Sequence, residues 1–358
     1  MELPVTTRVN FTSVDNSISG HYNDMQPTSL MGKLRDHYYN KGKPKTAHAK
    51  HFARCLFLFE AFTQLYTTLT HLIPYCYSEY DPWTQYYLKV LVFYMFAMAM
   101  ANWLCVTLYD TSVPRTRDRP YLFASGSTDS PPEHFIPRLE KNQNGHVSSE
   151  YDSDEKDRMP WKYCEICRLW APPRAHHCDF CKVCILKRDH HCFFVGNCIG
   201  FRNQRYFVVL SLYMVVIGLW GGYLTAAYIA GNYWAEATCW DFLLPVTITK
   251  LLLGYMDLLY ALVIFQSYCL WFFGSVAVFY FLSQMSIIAQ GLTLYELAKN
   301  IPIKNNSRVS QNMRSVFGDF WALNFLFPAQ ILFKQREDGT RWECVKLLHN
   351  NNNVKQSL

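Results

Sequence analysis

The sequence predicts an α-helical integral membrane protein with four transmembrane helices and a small cytosolic, cysteine-rich domain between helices 2 and 3. Three observations support this fold class. Charged residues make up only 17% of the 358 residues, against about 25% in an average soluble domain. Four apolar segments are long enough to cross a bilayer, and a mean hydropathy of -0.06 requires substantial polar segments between them. Seven of the 13 cysteines lie between Cys164 and Cys198.

The four apolar segments differ in strength. A hydrocarbon core of about 30 Å requires about 20 mostly apolar residues. Tyr87–Tyr109, Tyr206–Ala230 and Leu259–Met285 meet this requirement with at most one charged residue each. Cys55–Cys76 is less apolar because it contains Glu60 and several threonines. A transmembrane helix is favoured for this segment too, and an amphipathic helix at the membrane interface is the alternative.

Basic residues around these segments predict the orientation, since Lys and Arg concentrate in cytosolic loops. They precede the first segment and follow the second and fourth, whereas residues 77–86 contain none and residues 231–258 contain only Lys250. The first residues have neither the basic nor the apolar region of a signal peptide. We therefore expect a multi-pass membrane protein with both termini in the cytosol, in an endomembrane (Golgi or ER) rather than the plasma membrane.

Six parts of the chain follow from this layout. They are a cytosolic N-terminal segment (1–54), helices 1 and 2 (55–109), a disordered cytosolic linker (110–160), the cysteine-rich domain (161–205), helices 3 and 4 with a lumenal loop (206–285), and a cytosolic tail (286–358). The linker is predicted from residues 125–158, where Ser, Pro, Asp and Glu dominate and apolar residues are too few to offset chain entropy. No repeat of fixed period is expected.

The cysteine-rich domain predicts metal binding. Closely spaced cysteines with interspersed histidines, in a reducing compartment, are typical of zinc knuckles rather than disulfides. Two tetrahedral zinc sites need about eight ligands, and seven cysteines and four histidines between Cys164 and Cys198 leave three groups free. Asp189, His190 and Cys192 have the order of an orienting carboxylate, a base and a nucleophile. The alternative is that residues 189–192 are all ligands or scaffold, as in a three-metal cluster.

The stretch CEICRLWAPPRAHHCDFCKVCILKRDHHCFFVGNCIGFRNQRYF, from Cys164 to Phe207, resembles the DHHC-type protein S-acyltransferases, or palmitoyltransferases. The spacing matches that family without a gap, and the four-span layout is similar. The resemblance implies that Cys192 takes a long-chain acyl group from acyl-CoA, such as palmitoyl-CoA, as a thioester and passes it to a cysteine of a target protein. It further implies that His190 is the base and Asp189 the orienting acid.

The same resemblance implies two interleaved structural zinc ions. One would be held by Cys164, Cys167, His177 and Cys184, and the other by Cys178, Cys181, His191 and Cys198. His176 is then left over, and we expect it to be a packing residue.

The chemistry of acyl-CoA suggests where the substrate binds. A neighbouring histidine increases the thiolate fraction of a cysteine, and a thiolate exchanges thioesters well. A long acyl chain favours hydrocarbon by about 0.8 kcal/mol per CH₂, so we expect it between the spans, against aromatic residues of spans 3 and 4. The phosphates of CoA are expected to contact basic residues near the core. The candidates are Arg174, Lys182, Lys187 and Arg188.

Two departures from the family pattern bear on activity. Phe193 and Phe194 replace the Pro-Trp that follows the D-H-H-C group in most members, which we expect to affect the loop or the choice of chain length. Leu294 replaces the second threonine of a Thr-Thr-x-Glu motif that otherwise has Thr293 and Glu296. Since that threonine lies near the catalytic aspartate in the family, we expect altered support of Asp189.

Two other functions are compatible with the residues. A non-catalytic, membrane-anchored zinc-finger scaffold would bind protein partners without a nucleophile, and a membrane-bound ubiquitin ligase is a weaker alternative. In the acyltransferase interpretation the partners are acyl-CoA, cysteine-containing proteins and membrane lipids, with no nucleic acid. A second copy of the chain or an accessory subunit is left open.

Overall fold

The computed structural model describes residues 46–114, 139–141, 147–149, 159–233, 237–326, 335, 337–342 and 344–348. Helix α1 (Thr46–Thr67) continues through a π-helical segment (Thr68–Leu72) into the short helix α2 (Ile73–Cys76). The long helices that follow are α3 (Pro82–Leu108), α4 (Gln204–Asn232) and α6 (Leu258–Gln290). A 3₁₀ helix (Cys239–Phe242) and helix α5 (Leu244–Leu252) lie between α4 and α6.

Among the described residues, the three helices α3, α4 and α6 are long and apolar enough to cross a membrane. Their outward faces carry large apolar side chains, such as Phe93, Trp271 and Phe279, each more than half exposed. An apolar surface of this kind is typical of contact with lipid. The part of the chain that the structure describes is mostly helical, and these three helices are membrane-like. The weakest predicted span, Cys55–Cys76, is helical throughout but is not one of these three helices.

Local capping sets the ends of the long helices, which extend beyond the apolar segments. The Asp81 carboxylate accepts hydrogen bonds from the N–H groups of Trp83 (2.9 Å) and Thr84 (3.1 Å), and Pro82 occupies the first helical position of α3. Both features favour a helix start. Helix α6 ends at Gly291, which has the left-handed φ of 70° that favours glycine.

Helices α4 and α6 cross in close contact. A Cβ atom placed on Gly218 of α4 would lie 2.8 Å from the Cα atom of Gly274 in α6. Only glycine at this crossing allows the two backbones to approach so closely. The apolar core extends from these helices to the cysteine-rich hairpins and the C-terminal elements and includes Ile199, Tyr206 and Phe317.

The cysteine-rich domain consists of three two-stranded antiparallel hairpins. After the paired strands β1 (Leu139–Lys141) and β2 (Val147–Ser149), the hairpins are β3 (Lys162–Cys164) with β4 (Leu169–Ala171), β5 (His176–Cys178) with β6 (Val183–Ile185), and β7 (His190–Cys192) with β8 (Asn197–Ile199). No larger sheet forms among the described strands.

These hairpins reveal a 14-residue repeat, so the expectation of no repeat was wrong. Cys164, Cys178 and Cys192 are spaced 14 residues apart and occupy the same position, each paired with the residue five places later. Each turn has a residue with positive φ at the same place, namely Arg168 (52°), Lys182 (59°) and Gly196 (65°). The sequence carries this repeat too, since residues 174–180 and 188–194 share the pattern R-x-H-H-C-x-F, and the hairpin register shows that the first copy belongs with them.

The C-terminal elements pack against this domain and the ends of the helices. They are α7 (Leu294–Ala298), β9 (Ile303–Asn305), α8 (Val309–Phe317), a 3₁₀ helix (Trp321–Phe325) and β10 (Val345–Leu347), with β9 and β10 antiparallel. Within the predicted linker 110–160, the start is ordered, since Val113 N–H donates to Cys184 O (2.8 Å). Most of the linker, like most of the N-terminal segment 1–54, lies outside the described residues, and its predicted disorder stays a prediction.

Candidate active site and metal centres

The first two hairpins bring together one tetrad of metal-binding side chains. The donor atoms of Cys164, Cys167, His177 and Cys184 lie within 4.8 Å of one another. His177 Nδ1 is 3.1 Å from Cys167 Sγ and 3.8 Å from Cys164 Sγ. Tetrahedral zinc with bonds of about 2.0–2.3 Å places its ligands roughly 3.3–3.8 Å apart. The four donors therefore fit a zinc ion.

A second tetrad joins the second hairpin to the third. Cys178, Cys181, His191 and Cys198 also have donor atoms within 4.8 Å of one another. His191 Nδ1 lies 3.7, 3.3 and 3.5 Å from the sulfurs of Cys178, Cys181 and Cys198, respectively. The separations again fit tetrahedral zinc. Both groups of four are the ones that the family resemblance implies.

The repeat explains why Cys192 belongs to neither tetrad. In each tetrad two cysteines come from the turn of one hairpin, while a histidine and a cysteine come from the strands of the next. Cys192 has the turn position of Cys164 and Cys178, but its expected partner position holds Val195. No fourth hairpin follows β8 in the described chain. The sulfur of Cys192 is thus left outside the metal sites.

Asp189, His190 and Cys192 lie together as a triad. His190 Nδ1 lies 2.7 Å from Asp189 Oδ2, and its buried Nε2 has no hydrogen-bond partner among the described residues. His190 and Cys192 are on the same strand, β7. Burial lowers the pKa of His190, but its interactions with Asp189 and Cys192 outweigh burial and raise the pKa to about 9. The His190 ring stacks on Tyr280 at 5.3 Å and contacts the edge of Phe207 at 5.2 Å. This arrangement can remove a proton from the Cys192 thiol and return it.

Asp189 is fully satisfied by donors from three parts of the chain. It is 1% exposed. Its Oδ1 accepts from the backbone N–H of Leu294 (2.8 Å), and its Oδ2 accepts from Gln284 Nε2 (2.6 Å) as well as from His190. Because the donor at Leu294 is its backbone N–H, the hydroxyl that Leu294 lacks is not needed for this bond.

Sequence reasoning missed Gln284 and its neighbour Gln204. Gln204 Nε2 donates to Gln284 Oε1 (3.0 Å), and both side chains are buried. The signal that could have identified them is a glutamine at the end of each of two apolar segments, since polar residues in such segments are rare and often functional.

The loop after Cys192 is held without the proline of the family pattern. Arg54 of α1 donates from Nε (3.2 Å) and Nη2 (3.1 Å) to the Val195 carbonyl oxygen. The Phe194 ring packs against Phe57 at 5.1 Å and Phe273 at 5.4 Å. Phe193 is 61% exposed. Helices α1 and α6 thus fix the backbone beside Cys192.

An apolar cavity of about 430 Å³ adjoins this loop. Helices α1, α3, α4 and α6 contribute to its wall. Its lining includes Phe57, Met95, Phe194, Met214, Trp220 and Phe273. Such a cavity can receive a flexible apolar chain.

A polar pocket of about 400 Å³ lies beside α8. Its lining is mixed, with cations from Arg174, Lys187 and Arg341, carboxylates from Glu337 and Asp338, and amides from Asn305 and Asn312. The cations of this lining can contact anionic groups.

The basic side chains predicted near the core occupy different environments. Arg174 is buried and forms two 2.7 Å contacts with Glu296, and burial lowers the pKa of Lys187 to about 8. Arg188 donates to His177 O and lies over the Tyr295 ring. Lys182 lies in the turn of the second hairpin, where its φ is positive.

His176 lies where a packing residue is expected. Its ring is 4.2 Å from that of Tyr295, and burial lowers its pKa to about 4. The neutral imidazole that results has a structural contact and lies in neither metal tetrad.

Comparisons with known proteins agree with this geometry. Residues 157–301 match the family model for the DHHC palmitoyltransferase. The chain is 29% identical over 187 residues to "Palmitoyltransferase ERF2" of Yarrowia lipolytica, covering 49% of this chain and 43% of the relative. It is 35% identical over 169 residues to "Palmitoyltransferase ZDHHC22" of Danio rerio, covering 46% of this chain and 56% of that one.

A shorter match has a higher identity. Over 64 residues the chain is 70% identical to "Palmitoyltransferase erf2" of Neurospora crassa, covering 16% of this chain and 9% of the relative. Overall, the chain spans about half the length of the first two curated relatives it matches.

Proposed function

We propose, on the premise that residues 157–301 of this chain form a DHHC palmitoyltransferase domain, that the protein is a protein-cysteine S-acyltransferase. The observation that carries the proposal is the triad of Asp189, His190 and Cys192, whose sulfur lies outside both metal tetrads. The acyl donor is a long-chain acyl-CoA such as palmitoyl-CoA. The acceptor is a cysteine of a target protein.

Two structural zinc ions belong to this proposal. One is held by the tetrad that contains His177, the other by the tetrad that contains His191. Each ion would cross-link two successive hairpins through four bonds to its cysteine and histidine ligands. These bonds would stabilise hairpins that are too small to form a hydrophobic core of their own. The second site includes His191 and Cys198 from the hairpin that carries Cys192, and so fixes the nucleophile's backbone.

The first half of the reaction forms the acyl-enzyme. His190 takes the proton of the Cys192 thiol, and the thiolate attacks the thioester carbonyl carbon of acyl-CoA. The bond between this carbon and the sulfur of CoA breaks, and the CoA thiolate leaves with the proton from His190. Asp189 holds His190 Nδ1 throughout, so that Nε2 faces the reacting sulfur.

The second half repeats the exchange with a different thiol. His190 accepts the proton of the target cysteine, whose sulfur attacks the carbonyl carbon bound to Cys192. The carbon–sulfur bond to Cys192 breaks, and Cys192 recovers its proton from His190. One thioester is replaced by another in both halves, so the group moves with little change in bond energy.

The two pockets suit the two ends of acyl-CoA. The apolar cavity beside Phe194 matches the acyl chain, and about 0.8 kcal/mol per buried CH₂ favours its entry. The polar pocket that includes Arg174 and Lys187 matches the phosphates of CoA. Arg188 and Lys182, which do not line this pocket, are further candidates for the same role. Arg174 is already paired with Glu296, so we assign it to shaping the pocket as well as to binding.

The membrane arrangement completes the proposal. Helix α1 with its extension to Cys76 is the first of four spans, and α3, α4 and α6 are the others. Both termini and the zinc domain face the cytosol of an endomembrane such as Golgi or ER, where acyl-CoA and target proteins are available. The basic flanks of the spans support this orientation. Membrane lipids, the target proteins and either a second copy or an accessory subunit are the further partners.

The test uses purified protein and a labelled acyl-CoA. Wild type is expected to take up a hydroxylamine-labile label, and Cys192→Ser is expected to take up none. Zinc content checks folding and is expected to be two ions per chain in both. A label that persists in Cys192→Ser, or no label in a zinc-loaded wild type, would favour the scaffold function instead.

A further inference from the structure

Two buried glutamines connect the membrane helices with the triad. Gln284, at the end of α6, is 0% exposed, and Gln204, in the first turn of α4, is 1% exposed. Gln204 Nε2 donates to Gln284 Oε1 (3.0 Å), and Gln284 Nε2 donates to Asp189 Oδ2 (2.6 Å). The same Asp189 oxygen contacts His190 Nδ1 (2.7 Å).

The direction of these bonds is fixed by chemistry. An ionised carboxylate has acceptors only, so Gln284 must present its amide N–H to Asp189. Its oxygen then faces Gln204, which donates to it. The pair can therefore adopt only one arrangement of amide groups while Asp189 is ionised.

We propose that Gln284 is a positioning residue for the reaction, an inference that rests on the proposed acyltransferase function. With Gln204 behind it, it holds Asp189 Oδ2 in the position that binds His190 Nδ1. The imidazole is thereby kept in the orientation and tautomer that direct its other nitrogen at Cys192. Gln284 touches neither substrate nor the reacting sulfur, and acts through Asp189.

A glutamine with only a structural role would affect stability without affecting the triad, and α6 contains such a glutamine as a matched control. Gln266 lies on the same helix, is also 0% exposed, and donates from Nε2 to Thr67 Oγ1 (3.1 Å) of α1, with no bond to the triad. Gln266→Leu and Gln284→Leu each remove one buried amide of the same kind. They differ in what the amide supports.

The experiment measures the rate of Cys192 acylation over a range of acyl-CoA concentrations. Gln284→Leu is expected to lower the maximal rate by about 10- to 100-fold, the value of a hydrogen bond to a charged group, with KM and zinc content unchanged. The maximal rate of Gln266→Leu is expected to stay within about twofold of that of wild type, because the hydrogen bond that it removes is remote from the triad.

A double-mutant cycle tests whether Gln284 acts through Asp189. In an Asp189→Asn background, Gln284→Leu is expected to add less than about twofold, since the carboxylate it supports is gone. The inference about Gln284 would be overturned by a full 10-fold loss of acylation rate in that background, or by equal losses of rate from Gln266→Leu and Gln284→Leu. Either result would leave the proposed acyltransferase function standing. A wild type that takes no label would overturn both the inference and the proposed function.

Discussion

At the scale of the residue, the hydrogen bond from the Leu294 N–H to Asp189 explains how the site tolerates leucine where the family pattern has threonine. The Leu294 N–H that binds Asp189 Oδ1 belongs to the first residue of α7, after the N-cap Thr293. The first N–H groups of a helix have no partner within the helix and are free to bind a carboxylate. Leucine serves as well as threonine for this bond.

A proline substitution tests this interpretation. Leu294→Pro removes the N–H but suits the first helical position, and Thr293 already has the extended backbone (φ -124°, ψ 157°) that precedes proline. We expect the acylation rate to fall by about 10-fold or more, because a hydrogen bond to a charged group is lost.

Leu294→Ala is the control for that change, since it keeps the N–H and removes most of the side chain. Its rate is expected to remain within about threefold of wild type in the same labelling assay. Similar losses in both variants would mean that the leucine side chain, rather than its N–H, is what matters.

At the scale of the element, the three hairpins share one plan and differ in one respect. Each of the first two contributes two turn cysteines to a metal tetrad that the next hairpin completes. The third has Cys192 and Val195 in those turn positions and no hairpin after it among the described strands. The cysteine that belongs to a metal tetrad in two copies lies outside both tetrads in the third, which is what the proposed nucleophile requires.

The plan predicts unequal effects from the two zinc sites. Cys164→Ala and Cys181→Ala should each reduce bound zinc from two ions to one, measured by elemental analysis, and lower the apparent melting temperature. Cys181→Ala should reduce the acylation rate more, because its site includes His191 and Cys198 on the hairpin of Cys192.

The exposed Cys239 lies in neither tetrad and lines neither pocket, so Cys239→Ala controls for loss of a thiol. It is expected to keep both zinc ions and the wild-type rate. An equal loss of rate from Cys164→Ala and Cys181→Ala would argue that the domain fails as a whole instead of site by site.

At the scale of the whole molecule, the proposed reaction requires the zinc domain and the acyl cavity to meet at one membrane surface. Arg54 and Phe57 of α1 contact the loop after Cys192, so α1 closes the end of the cavity that lies beside this loop. The number of spans then determines on which side the N-terminus lies.

Labelling in sealed vesicles with the cytosolic face outward tests this topology. Cys344 and Cys239 are both exposed thiols. A membrane-impermeant maleimide is expected to reach Cys344 at once and Cys239 only after detergent, with Cys344→Ser and Cys239→Ser identifying each signal.

An epitope tag ahead of Met1 decides the role of the first helix. With four spans the tag is accessible in intact vesicles, because both termini share the cytosolic face. Access only after detergent would mean that α1 lies at the interface, leaving three spans. Cys239 that reacts without detergent would contradict the proposed orientation altogether.

The sequence alone determined the features that depend on local pattern. Three apolar segments predicted α3, α4 and α6 to within a few residues, because hydropathy and length suffice to identify such helices. The spacing of cysteines and histidines, with the family resemblance, indicated both tetrads that the structure brings together. Both signals are contained in short stretches of chain, where spacing translates directly into geometry.

Only the tertiary structure decided how these parts act on one another. Gln284 and Asp189 are 95 residues apart, Leu294 and Asp189 are 105 apart, and Arg54 and Val195 are 141 apart. No local pattern reports such contacts, because they arise when separate helices and hairpins pack. The hairpin register likewise showed that Cys192 has the position of Cys164 and Cys178 yet lies in neither tetrad, because no further hairpin among the described strands completes a third site.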